Sequence, residues 1–73
     1  MNTKTSHWII EDGISGAVES TECDLQTAIA ETVAMSCGSS IGRPYRLYTS
    51  EIPPKLVASA TKGRPAWIAP EYR

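Results

Sequence analysis

The chain has 73 residues, 41% of them hydrophobic and 21% charged, with a formal net charge of −1. That is one small globular domain with no excess of charge to keep it unfolded, and about 60% of its unfolded surface is all a chain of this length can bury. No apolar run nears the roughly 20 residues that cross a bilayer. The start "MNTKTSHWIIEDG" has no signal-peptide core, because Glu11 and Asp12 follow Ile9 and Ile10 at once. The expectation is a cytoplasmic protein without membrane contact.

Residues 1–6 read as a frayed leader. "HWIIED" is short and rich in β-branched and aromatic residues, a strand signal. "GISG" follows as a loop of about four residues, and "AVESTE" as the returning strand of a hairpin. Val18 and Glu19 then take opposite faces, in either sense.

The helix comes next. Leu25, Ala28, Ile29, Thr32, Val33 and Ser36 recur at three and four, the helical period, and predict a helix over about 24–37. Thr21 with Asp24 three residues later resembles a capping box, and Asp24 alone is an equally good N-cap. Gly38 is placed where a left-handed C′ residue is wanted. Thr27, Ala30, Glu31 and Ala34 make the outer face. Cys23 and Cys37 flank this helix, and fourteen helical positions span about 21 Å, too far for a disulfide. They read as two small buried or half-buried thiols.

"GSSIGR" is a polar loop. "PYRLYTS" is a third strand whose period of two sets Tyr45, Leu47 and Thr49 on one face and Arg46 and Tyr48 outward on the other. "EIPPK" ends it, since proline donates nothing to a ladder. "LVASAT" is a fourth strand, "KGRP" a turn, "AWIA" a short edge strand, and 70–73 a frayed tail. The fold class is α+β: a two-layer sandwich with a single helix packed on an antiparallel sheet in the order β-β-α-β-β-β, one domain over 1–73. One helix covers one face of a sheet, so the other is left open.

Charge is segregated along the chain. Residues 1–36 set Lys4 against Glu11, Asp12, Glu19, Glu22, Asp24 and Glu31, a net −5; residues 37–73 set Arg43, Arg46, Lys55, Lys62, Arg64 and Arg73 against Glu51 and Glu71, a net +4. Arg43 and Arg46 bracket Tyr45, and Lys62 and Arg64 precede Trp67. Basic and aromatic side chains so interleaved grip phosphates and stack on bases. The same residue types dominate protein–protein hot spots, and they also make an ordinary solvated surface.

No constellation points to catalysis. A nucleophile needs a base and a group that orients the base, and His7 is the single histidine. There is no phosphate-binding glycine loop. Glu11 and Asp12 are adjacent on a strand and point to opposite faces. One histidine and two separated cysteines supply no zinc ligand set. The expectation is a non-enzymatic protein without cofactor or metal.

The running order "WIIEDG … AVESTECDLQTAIAETVAMS … GRPYRLYTSE … LVASATKGRPAWI" resembles small proteins encoded by phages and mobile elements, among them anti-CRISPR proteins that inhibit type I surveillance complexes. The resemblance implies an inhibitor that binds a host ribonucleoprotein and blocks nucleic-acid access. The charge pattern nominates Arg43, Arg46, Tyr48, Lys62, Arg64 and Trp67 as partner-binding residues. A small module that contacts nucleic acid directly, and a phage protein that forms a homodimer through the open sheet face or the edge strand, are the alternatives.

Overall fold

Ile10 and Leu47 lie opposite each other on neighbouring antiparallel strands, both fully buried, and the core forms around them. The computed structural model of the chain describes residues 7–73, so the expected leader at 1–6 lies outside the described residues. The elements are β1 (Trp8–Asp12), β2 (Val18–Glu22), α1 (Leu25–Gly38), β3 (Tyr45–Thr49), β4 (Leu56–Ala60) and β5 (Trp67–Ile68), then a 3-10 turn over Pro70–Tyr72. The five strands form one sheet in the order β2-β1-β3-β4-β5, every neighbouring pair antiparallel. The fold is α+β, one helix on one face of an antiparallel sheet.

Alternation works as expected on β1 and β3. Trp8, Ile10 and Asp12 pair with Thr49, Leu47 and Tyr45 and face the helix; Ile9 and Glu11 pair with Tyr48 and Arg46 on the opposite face. It fails on β4, where Val57 and Ala58 are both buried although they are consecutive. A register shift between Leu47 and Tyr48 of β3 leaves Val57 without a Cα partner, and such a bulge lets two successive side chains enter one core. Ile10, Ala28, Leu47, Val57 and Ala58 make the buried cluster, with Trp8, Leu25, Ile29, Met35, Tyr45, Ile68 and Tyr72 packed around it.

Asp24 caps α1, its Oδ2 accepting the Thr27 backbone N–H at 2.8 Å. The stripe that meets the sheet is Ala28, Thr32 and Ser36, three small residues four apart. Small side chains let the helix approach the strands closely. Their hydroxyls cost little there, because Thr32 donates to Ala28 O and Ser36 to Val33 O. Gly38, expected beyond the helix in a left-handed conformation, is instead its last residue. The cap is Ser39, in extended conformation, and the left-handed glycine of this loop is Gly42.

Two further expectations are corrected. Residues 70–73 are not a frayed tail: Tyr72 meets Trp8 edge-to-face with ring centroids 5.7 Å apart, and Arg73 Nε donates to Ile68 O. The aromatic pair joins the end of the chain to β1 and packs against the buried cluster. Cys23 and Cys37 are unpaired as expected, but both are exposed rather than buried.

Glu31 also departs from its expected place on the outer helix face. It is half-buried, with Oε1 enclosed and accepting no hydrogen bond. Its neighbour is Glu22 of β2, which faces the helix. The hydrogen bond between the two carboxyl groups, then burial, holds Glu22 above the usual carboxylate range. A folded-state pKa raised above the unfolded 4.5 means that the native state binds this proton more tightly, so stability grows as pH falls from the raised value toward 4.5 and is reduced at neutral pH. Glu22→Gln is expected to raise Tm at pH 7 and to lose that advantage at pH 4.5, read from paired thermal melts.

Candidate interaction surface

Among the described residues, no helix or second sheet lies over the face of the sheet away from α1. Cα pairing places its side chains in two rows across the strands. One row runs Val18, Glu11, Arg46, Ser59, Trp67; the other runs Thr21, Ile9, Tyr48, Leu56. Val18 is 58% exposed, Leu56 37% and Trp67 45%. Tyr48 and Trp67, the aliphatic side chains of Ile9, Val18 and Leu56, and the charged Glu11 and Arg46 share this surface; Trp, Tyr and Arg are the residue types that supply most of the free energy at interaction patches.

The six residues nominated from sequence do not form one patch. Arg46, Tyr48 and Trp67 share the open face, with Ser59 between Arg46 and Trp67 in the row. Arg64 sits on the exposed turn that precedes β5, where its N–H donates to Thr61 O. Lys62, on the same turn, leans toward the helix, its Nζ 3.5 Å from Ser39 O. A cation there suits the partial negative charge at the C-terminal end of α1.

Arg43 has a different task. Its Nη1 pairs with Asp12 Oδ2, on the helix side of the sheet, and its backbone N–H donates to Ser39 Oγ. Asp12 is 5% exposed and its Oδ1 accepts the N–H groups of Ile14 at 2.7 Å and Ser15 at 3.2 Å. These backbone donors, that of Ile14 foremost, and then the Arg43 guanidinium hold the Asp12 carboxyl below its usual range, outweighing the opposing effect of burial. Gly13 N donates to Pro44 O at 2.9 Å beside this pair, and a Cβ at residue 13 would lie 3.0 Å from the proline ring. Arg43 therefore ties the β1–β2 turn to the loop entering β3.

Strand order turns the charge asymmetry of the chain into a spatial one. β1 and β2 lie at one edge with Glu11, Glu19 and Glu22, and α1 adds Glu31 beside Glu22. β3 to β5 carry Arg46, Lys62 and Arg64 toward the other edge, where Arg73 lies against β5. Four inter-strand spacings, about 19 Å, separate the outer strands. Sequence reasoning missed Ile9, Glu11, Val18 and Leu56 as members of the open face, because membership depends on register and bulges. It missed Arg73 because the chain end carries no periodic pattern.

Among the described residues no helix is long and apolar enough to cross a membrane, and no group of three or more His, Cys, Asp or Glu is placed to hold a metal ion. Compared with known proteins, the chain matches no family model, no curated protein and no solved structure.

Proposed function

We propose that this chain is a non-enzymatic binding protein that docks its basic β5 edge on a host CRISPR–Cas type I ribonucleoprotein and blocks nucleic-acid access, acting in the bacterial cytoplasm. The observation that carries the binding role is the segregation of charge across the sheet, with Arg64, Trp67 and Arg73 gathered at one edge. Trp67 is the anchor: a large apolar ring, half-exposed on a two-residue edge strand. Arg64 and Arg73 supply charge to match an anionic groove. The choice of a ribonucleoprotein follows from the resemblance to small phage inhibitors. The acidic edge argues against a free duplex as the ligand, since β2 and α1 would repel phosphates that wrap past the basic side.

The test uses a panel of purified, guide-loaded type I complexes and labelled target DNA. The expected result is loss of DNA binding by one complex when the protein is added. Arg64→Glu should weaken that inhibition roughly tenfold, the 1.4 kcal/mol scale of a single hot-spot charge, with Tm unchanged. Binding to free DNA that falls steeply with salt, without inhibition of any complex, would replace this reading with a direct nucleic-acid module.

A further inference from the structure

The open face is self-complementary about a line parallel to the strands, running between β1 and β3. Across that line Glu11 is the direct partner of Arg46, and Ile9 of Tyr48. The ion pairs among the described residues are Arg43–Asp12 and Lys55–Glu51. Glu11 and Arg46 therefore stand side by side without closing on each other.

We propose that a second copy of this chain stacks on the open face, related by a two-fold axis along that line. The rotation carries β1 of one copy over β3 of the other. Glu11 then lies over the partner's Arg46 and Ile9 over the partner's Tyr48, each at the same height along the strands. Around the axis the four charged groups alternate in sign, with like charges only on the diagonals. The acidic edge of each copy faces toward the basic side of the other, so the long-range field favours this arrangement over the reverse one. Sheets packed face to face stand about 10 Å apart, a gap that Glu and Arg side chains together span. The roughly −30° offset between aligned sheets displaces residues near the axis least, and these are the ones that pair.

The arrangement is isologous and closes at two copies. It covers Val18 and Leu56, which are exposed in the monomer, together with Ile9 and Tyr48. Four overlapping strands of five residues give a footprint of about 19 by 17 Å, or ~320 Å². That is well below the ~800 Å² per partner of a standard interface, so the dimer is a weak one. β5 lies beyond the overlap. Trp67 and Arg64 therefore stay outside the interface, one basic edge at each end of the dimer.

Sedimentation equilibrium over a concentration range from ~10 µM to ~1 mM tests this, with circular dichroism to confirm folding. The expected result for the unaltered protein is a monomer–dimer equilibrium that weakens with salt. Arg46→Glu and Glu11→Arg should each weaken association at least tenfold. The double variant, Glu11→Arg with Arg46→Glu, should restore it to within about threefold, since additivity fails for groups that touch. Trp67→Ala should leave it unchanged, whereas the same substitution acts on the function proposed above, so the two readings fail separately. A monomer throughout, a dimer indifferent to Arg46→Glu, or loss of the dimer in Trp67→Ala overturns the arrangement.

Discussion

Leu47→Ala is expected to lower the unfolding free energy by about 2–5 kcal/mol, the cost of losing a buried leucine and leaving a cavity. Leu47 is fully buried at the centre of the middle strand, with Ile10 on one side and Ala58 on the other, and the helix packs over it. None of these can move inward without breaking a ladder. A chain of 73 residues carries a net stability on the order of 4–11 kcal/mol, so a large share is lost and the urea midpoint falls steeply. Arg46→Ala, one residue away on the opposite face, should change stability by no more than about 0.5 kcal/mol. A loss under ~1 kcal/mol for Leu47→Ala would mean that α1 does not pack on β3 as described.

Asp12→Ala is expected to be the most destabilising removal of a single charge in the chain. It strips the N–H groups of Ile14 and Ser15 of their acceptor and leaves the Arg43 guanidinium without its counter-ion. Both turns that meet beside Gly13 and Pro44 lose their tie. Asp12→Asn should fall between, since its side-chain oxygen can still accept from the turn while its amide cannot neutralise Arg43. The acid response identifies the cause. The folded-state pKa of Asp12 lies below the unfolded 3.8, so its contribution is present above pH 3.8 and is lost as pH falls through the lower, folded value. Melts of the unaltered protein and of Asp12→Asn should therefore converge in strong acid. A constant gap between them at every pH would show that charge has no part in the tie.

The elements were legible in sequence where one periodicity acted alone. "WIIED" and "YRLYT" alternate without a bulge between them, and the structure keeps the faces that alternation implies. The helix could be read because Leu25, Ala28, Ile29 and Thr32 repeat at helical spacing and Asp24 is a good N-cap. Reading failed where two elements compete for one residue. Glu31 follows the outer-face pattern of the helix, yet β2 passes close enough to enclose it beside Glu22. Arg43 looked like part of a basic cluster with Arg46, but it spends its charge on Asp12, 31 residues away in the chain. Tyr72 sits in a stretch with no periodicity and is held by the Trp8 ring across the sheet.

Composition, period and charge order by themselves determined the α+β class, the extent of the helix and the places of the strands, and an acidic first half followed by a basic second half. These are local properties, set by spacing along the chain. Only the tertiary structure decided that β3 lies between β1 and β4, that bulges turn Val57 inward, and that Arg43 is buttressing a turn while Arg46, Tyr48 and Trp67 share a face. Those outcomes depend on register between segments far apart in sequence, and a one-residue slip would send every side chain of a strand to the other face.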